Sequence, residues 1–321
     1  MIIISKTPLR ISFFGGNTDF KEYYQKYGGL VLSTTIDKYI YCVVSKRFDD
    51  RIMINYSQKE SVDRVEDIKH DLVREALKLL HITKGIEITF LSDIPSSGSG
   101  LGSSGAVTVG LLNALHGYLG RGVDPEQLAE EAIHIELDIL KRPSGVQDQY
   151  SVAYGGLNAI QFMPSEVTIQ KIVMSETVKE DFNNSMMLFY TGVSRETSSV
   201  LSHLDIQANI KQLDSNKDLA NEAIVSLVKS DLHKFAQLLN VSWEAKKKLN
   251  KKTTSTHIDD MYARAMKAGA IGGKVIGAGG GGFMLVMFPA NKRVRIRQAL
   301  LNFKELPFKF SDNGSKIVLN I

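Results

Sequence analysis

At 321 residues, with 43% hydrophobic and 23% charged residues, the chain is long enough for two packed domains and too apolar for intrinsic disorder. Thirty-nine basic residues against 35 acidic ones leave a net charge of only +4, and no long basic block interleaves with aromatics. Nucleic acid is therefore not suggested, whereas a mild positive excess suits a phosphorylated small molecule. The single cysteine, Cys42, lies in the apolar run Tyr39 to Val44 and reads as a small core residue. That leaves no disulfide framework and no cysteine-rich metal site, and with no apolar run long enough to span a membrane a cytoplasmic protein is expected.

In chain order, residues 2–20 open as a strand, expected to break at Lys6-Thr7-Pro8-Leu9-Arg10 and again at Phe14-Gly15-Gly16-Asn17-Thr18-Asp19. Gly15-Gly16 marks a turn, and Asp19 after it either caps that turn or faces a cleft. Strands are expected at 30–36, 39–45 and 51–56 and a helix at about 65–80, a mixed sheet with a packed helix. Ile86-Glu87-Ile88-Thr89-Phe90-Leu91 alternates as a strand does, and Val107 to Leu119 carries apolar residues at helical spacing. Between them runs Pro95-Ser96-Ser97-Gly98-Ser99-Gly100-Leu101-Gly102-Ser103-Ser104-Gly105-Ala106. A glycine-serine loop that ends at a helix N-terminus is an anion site, because unpaired N–H groups and the positive end of the helix dipole converge there.

Asp124-Pro125-Glu126-Gln127 starts the next helix: Asp124 caps, Pro125 suits the first helical position, and Gln127 completes a capping box. The helix is expected to run to about Leu140. On a wheel of roughly 100° per residue, Leu128, Ala129, Ala132, Ile133, Ile135, Leu137, Ile139 and Leu140 share one broad face, and Glu136 falls in its middle. A carboxylate buried there needs a partner, either a lysine or arginine or a metal. In the loop that follows, Arg142 to Tyr150, Pro143 ends the helix, Gly145 permits an unusual backbone angle, and Asp148 is either an aimed carboxylate or a turn cap.

Residues 163–184, charged and poor in glycine, read as the inter-domain region, with domains at 1–170 and 171–321. The second half opens with a strand at 186–190 and a turn, Thr191-Gly192-Val193-Ser194-Arg195. Helices follow at about 205–229, 231–249 and 258–268. Strands at 274–276 and 283–288 flank a second glycine loop, Gly277-Ala278-Gly279-Gly280-Gly281-Gly282. A helix at 292–302 and a strand at 315–320 close the chain.

Gly100, Gly102 and Gly105 fit G-x-G-x-x-G literally, but a dinucleotide fold wants that loop after its first strand in a repeated strand-helix series, and the earlier strands here are hairpin-like. Protein-kinase signatures, a Walker Gly-Lys-Ser/Thr, His-Glu-x-x-His and Gly-x-Ser-x-Gly are all missing. A phosphate loop with serine at its helix end, a buried glutamate, an aimed aspartate and a second glycine loop are the parts of a phosphoryl transferase.

Those parts resemble the GHMP kinase superfamily, which includes galactokinases, homoserine kinases and mevalonate kinases. Pro8 to Phe20 is similar to its N-terminal substrate motif, Pro95 to Ala106 to its ATP-phosphate loop, and Gly277 to Phe283 to its C-terminal motif. Within it the chain looks like the sugar 1-kinase branch and its D-glycero-D-manno-heptose 7-phosphate kinases, through Lys6 to Gly16, Ser144 to Tyr150 and Gly272 to Phe283. Asn17 stands where those kinases often have glycine.

The resemblance implies a two-domain α+β fold, with a ribosomal protein S5 domain 2-like N-terminal domain and a ferredoxin-like C-terminal domain. It also implies ATP and Mg²⁺ as cofactors and a sugar phosphate acceptor. By position it makes Asp148 the catalytic aspartate and Arg10 the cation near the transferred phosphoryl. Ser104 and Glu136 become Mg²⁺ ligands, and Pro95, Ser97, Gly98, Ser99, Gly100, Leu101, Gly102, Ser103 and Ser104 the nucleotide cradle. Asp19 becomes the sugar-hydroxyl carboxylate, with Gly16, Asn17, Gly145, Gly279 and Gly280 around the acceptor. Arg195 and Lys274, beside glycine turns, are candidate grips for the acceptor's own phosphate, as are Lys6 and Arg142. Fucose, an unphosphorylated hexose or an N-acetylhexosamine is the rival acceptor, and a non-catalytic sugar sensor the rival function.

Overall fold

The structure, a computed structural model, describes residues 1–95, 98–194 and 205–321. The chain opens with β1 (Ile2–Phe14), α1 (Lys21–Tyr27) and β2 (Gly29–Lys46), followed by β3 (Ile52–Asn55), β4 (Lys59–Val62), α2 (Asp71–Leu79) and β5 (Ile86–Ser92). Helices α3 (Ser103–Tyr118) and α4 (Pro125–Ile133), a π-helical turn (His134–Ile139), α5 (Gln147–Tyr154), β6 (Leu157–Phe162) and β7 (Val167–Lys171) come next. The second half runs α6 (Glu176–Asn184), β8 (Met186–Tyr190), α7 (Ile210–Val228), α8 (Leu232–Leu249), α9 (Thr256–Lys267), β9 (Gly272–Val275) and β10 (Phe283–Met287). It ends with α10 (Arg293–Ala299), β11 (Glu305–Leu306), β12 (Phe310–Ser311) and β13 (Lys316–Asn320).

Strand β2 is the hub of the larger sheet. Its 18 residues pair antiparallel with β1 along one edge, and the other edge is shared by β6 at Gly29–Thr34, β12 at Thr35–Ile36 and β5 at Ile40–Lys46. Beyond β5 come β3, in the one parallel pairing among the described strands, and then β4, while β13 pairs with β1 on the far side. The smaller sheet is antiparallel in the order β11-β8-β10-β9. Together these form the two-domain α+β fold that the resemblance implies, with β12 and β13 returning from the second half to complete the first sheet.

Lys6-Thr7-Pro8-Leu9-Arg10 does not break the first strand. From Thr7 onward β1 is buried on both faces, so apolar-polar alternation ceases without the strand ceasing. Helices α3 and α5 contact β1 and so do α7 and α8, with Phe13 packed edge-on against Phe235 at 5.4 Å. Pro8 is absorbed by a register shift between Pro8 and Leu9, beyond the Ile3–Lys6 stretch that pairs with β13. Likewise β2 is one strand rather than two. The expected helix at 65–80 begins only at Asp71, preceded by a 3₁₀ turn at Val65–Asp67, and the stretch expected to link the domains contains β7 and α6. Cys42 is fully buried, and burial raises its thiol pKa.

Helix α4 starts as read, with Asp124 accepting from the Gln127 amide at 2.8 Å, although the Gln127 side chain turns to Glu131 instead of closing a capping box. It does not reach Leu140 as an α-helix. The π turn adds a residue to the last cycle, which swings Ile139 outward to 40% exposure while Glu136 stays inward at 3%. A uniform 100° wheel places both inside.

Candidate active site

The candidate site lies where two glycine loops meet β1 and α5. The phosphate loop between β5 and α3 turns through Gly98, Gly100 and Gly102, all with positive φ. Gly102 is also the N-cap of α3, whose first turn carries no acidic residue and no side-chain cap, so its amides face outward for an anion. The second glycine loop braces the first from behind. A Cβ on Gly100 would lie 2.5 Å from the Ile276 carbonyl, one on Gly277 would lie 2.7 Å from Gly100 Cα, and the Phe283 amide donates to the Ser99 carbonyl at 3.3 Å. Gly279 and Gly280 pack on Thr253, and it is Gly277 and Ala278 that reach the cavity wall.

Arg10 joins this loop to the floor of the cavity. Its amide donates to the Leu101 carbonyl at 2.9 Å and its Nη1 to the Gly100 carbonyl at 2.6 Å, while Nε and Nη2 each donate to Asp148 at 2.8 Å. Asp148 lies not in a free loop but in the first turn of α5, where the helix dipole favours its charge. A two-point fork fixes both the rotamer and the direction of the carboxylate.

Asp19 lies on the same wall with 1% exposure. It accepts from the Gln147 amide and side chain, both at 3.0 Å, and from the Asn17 amide at 3.1 Å. Asn17 holds φ at +73°, the left-handed conformation that glycine adopts freely and asparagine tolerates best. Gly145, by contrast, is absent from the positive-φ set; what its position requires is space, because a Cβ there would overlap Asp19 Oδ2 and Cγ. Burial raises the Asp19 carboxyl from 3.8 to about 6, against the lowering effect of the Gln147 amide and with a further rise from the nearby Asp148 charge.

A folded-state pKa above the unfolded value means that Asp19 contributes stability below about pH 4, and that this contribution is lost as pH rises through about 6, on the order of 3 kcal/mol at most. Thermal midpoints of wild type and Asp19→Asn compared from pH 4 to 7 check this: the wild type should lose ground to the variant across that window, and parallel profiles would refute it.

Glu136, Ser104 and Arg142 make the other polar cluster. The Ser104 hydroxyl donates to Glu136 Oε2 at 2.5 Å and Gln149 Nε2 donates to Oε1 at 3.0 Å. Arg142 donates to Ser104 Oγ at 2.9 Å, stands 3.7 Å from Glu136 Oε2, and forks onto Asp71 with two 2.9 Å bonds. Burial raises the Glu136 pKa, partly offset by these donors. The hydroxyl and the carboxylate are two oxygens of the kind a divalent ion takes, and Arg142 stands where such an ion would have to displace it.

Residues 70–156 match the family model of the GHMP kinases N terminal domain, and residues 223–305 match that of the GHMP kinases C terminal domain. The chain belongs to the GHMP kinases. It is 29% identical to D-glycero-alpha-D-manno-heptose 7-phosphate kinase of Campylobacter jejuni over 98% of each chain, and 27% identical to the galactokinase of Pyrococcus furiosus over 96% of this chain and 95% of that one. The crystal structure of a D-glycero-D-manno-heptose 1-phosphate kinase from Bacteroides thetaiotaomicron superposes with a TM-score of 0.83 over all of both chains, at 27% identity. As a GHMP kinase, the chain is an ATP-dependent kinase, and its carbohydrate-kinase relatives set the broad class of its chemistry.

The residues present fit the ligands of a GHMP kinase. Left-handed glycines and a bare helix N-terminus form a cradle for nucleotide phosphates, and Ser104 with Glu136 supplies two oxygens for Mg²⁺. Among the described residues no cluster of three acidic, histidine or cysteine side chains could hold a metal alone. No described helix is long and apolar enough to cross a membrane.

The structure brings Arg10, Gly16, Asn17, Asp19, Gly145, Asp148 and Lys274 to one cavity. Lys6 lies elsewhere, over the Tyr39 ring at 3.7 Å, and Arg142 is engaged with Asp71. Ser97 and Arg195 fall outside the described residues. Among the wall residues that escaped the sequence reading are Gln147, whose buried Oε1 has no partner among the described residues, and Asn216 and Lys246 from α7 and α8. The adjacency of Gln147 to Asp148 was the only available signal for the first. The others sit on helices whose periodicity speaks of packing alone.

Proposed function

We propose that the chain transfers the γ-phosphoryl group of ATP to the anomeric hydroxyl of a sugar phosphate, and that D-glycero-D-manno-heptose 7-phosphate, yielding the 1,7-bisphosphate, is its acceptor. The observation that carries the reading is the Arg10–Asp148 fork, which sets a carboxylate between a phosphate loop and a polar cavity. Asp148 aims the acceptor hydroxyl and takes its proton. Asp19 and the unpartnered Gln147 Oε1 receive neighbouring sugar hydroxyls. Gly98 to Ser104 hold the nucleotide phosphates through backbone amides, and Arg10 stabilises charge on the group in transfer. Bound at Ser104 and Glu136, Mg²⁺ supplies charge neutralisation at the phosphates. Residues 1–170 then form the nucleotide-binding domain and 171–321 the second, with β12 and β13 lent back to the first sheet.

The heptose is supported by the 29% identity to a kinase of that name across nearly the whole of both chains. Purified protein with Mg-ATP and a panel of acceptors tests it. Release of ADP should be fastest with the heptose 7-phosphate and slow with fucose, unphosphorylated hexoses and N-acetylhexosamines; equal rates with an unphosphorylated sugar would reject the assignment, and no stimulation by any sugar would reject the sugar kinase reading.

A further inference from the structure

Two lysines share the cavity wall with Arg10 and Gly277. Lys274, on β9, is only 5% exposed and donates to the Phe13 carbonyl at 2.8 Å. Lys246, on α8, donates to the carbonyls of Gly277 at 2.5 Å and Val275 at 3.3 Å, and keeps part of its surface open to the cavity. Among the described residues no carboxylate forms an ion pair with either amine, and Asp148 is taken by Arg10. Burial, then Lys274 and Arg10, hold the Lys246 amine well below the usual lysine range, and burial with Arg10 lowers Lys274 to about 7.

Like charges gathered in a desolvated place oppose folding, and carbonyl dipoles offset only part of that cost. A convergence of this kind suits an arriving anion. Its place says which one. The Gly277 carbonyl that holds Lys246 belongs to the residue packed on Gly100, and the Gly100 carbonyl receives Arg10 Nη1. Lys274 is tied to Phe13, on the strand that carries Arg10. The acceptor-side groups Asn17, Asp19 and Asn216 are tied instead to the turn at Gly15–Asp19 and to Gln147.

Building on the kinase reading above, we infer that Lys246 and Lys274 are catalytic residues that hold the phosphoryl group in flight between nucleotide and acceptor. In that transfer the bond from the γ-phosphorus to the bridging oxygen of ADP breaks, leaving its electron pair on ADP. A bond forms from the acceptor oxygen to phosphorus, and the hydroxyl proton passes to Asp148. The equatorial phosphoryl oxygens stay negative throughout, and the two ammonium groups meet that charge beside Arg10. The acceptor's own phosphate is the other source of the same chemistry, and kinetics separate the two.

Lys246→Met and Lys274→Met, each close to isosteric and uncharged, provide the test. With Mg-ATP and the acceptor, kcat should fall at least about 100-fold in each while the acceptor KM stays within about twofold. Affinity for Mg-ADP with aluminium fluoride, a mimic of the group in flight, should fall by a similar factor, with Mg-ADP binding unchanged. Thermal midpoints without ligands should hold, because methionine fills nearly the same volume. A raised acceptor KM with kcat kept would assign the lysines to the acceptor's own phosphate and overturn the inference. A lowered midpoint with parallel losses in all constants would make them structural, and unaffected variants would dismiss them. A wild type that consumes no ATP with any acceptor overturns the kinase reading and this inference together; a normal wild type with normal variants overturns the inference alone.

Discussion

Asp148→Asn should lower kcat about 1000-fold, equivalent to about 4 kcal/mol of transition-state stabilisation, with Mg-ATP affinity and the thermal midpoint nearly unchanged. The substitution keeps the shape of the side chain, so one fork contact to Arg10 survives through the amide oxygen. On the proposed mechanism, what is lost is the basic oxygen that takes the hydroxyl proton and the charge that holds the guanidinium in register. Single-turnover rates with saturating acceptor read the chemical step directly. Full activity in the variant would remove Asp148 from catalysis and with it the enzymatic reading of the cavity.

Gly145→Ala should cut kcat/KM for the acceptor by about 100-fold or more, although it adds a single methyl group far from any nucleotide contact. That methyl would overlap Asp19 Oδ2 and Cγ and sit 2.8 Å from Oδ1. Asp19 cannot yield, because two donors from Gln147 and one from Asn17 fix its oxygens and the Val146 amide donates to its carbonyl at 3.2 Å. The segments bearing Asp19 and Asp148 would have to part, at a stability cost of about 1–3 kcal/mol. Gly16→Ala is the control on the same wall, since a Cβ there meets nothing within 4 Å. Acceptor and Mg-ATP titrations of both variants decide the matter: wild-type acceptor kinetics in the Gly145→Ala enzyme would show that the close approach is dispensable.

The sequence disclosed those parts of the molecule whose chemistry is local. The phosphate loop, the cap at Asp124, the buried carboxylate at Glu136 and most helices of the second half follow from residue type and spacing, and the structure holds them within a few residues of where periodicity places them. Long-range packing stayed hidden. Strand β1 reads as interrupted because helices on both sides bury it from Thr7 onward, which removes the alternation by which a strand is recognised. Gly145 reads as a conformational glycine, whereas its constraint is a carboxylate from a turn 126 positions earlier, at Asp19. Lys246 begins the run Lys246-Lys247-Lys248 at the end of α8, which looks like a solvated, dipole-compensating helix end. Only the fold turns one of those lysines inward. The π turn is the subtlest case, since one additional residue in a helical cycle sends Ile139 out with no mark in composition.

The double engagement of Arg10 bears on how mutational data from this enzyme should be added up. One residue ties the phosphate loop at Gly100 and Leu101 and the carboxylate of Asp148, so its replacement loosens both at a single stroke. Losses measured separately at Arg10 and Asp148 therefore count the same fork twice, and their sum exceeds what the double replacement costs. Energies assigned residue by residue around this hub describe a shared bracket, and a thermodynamic cycle across the pair is the unit in which they have meaning.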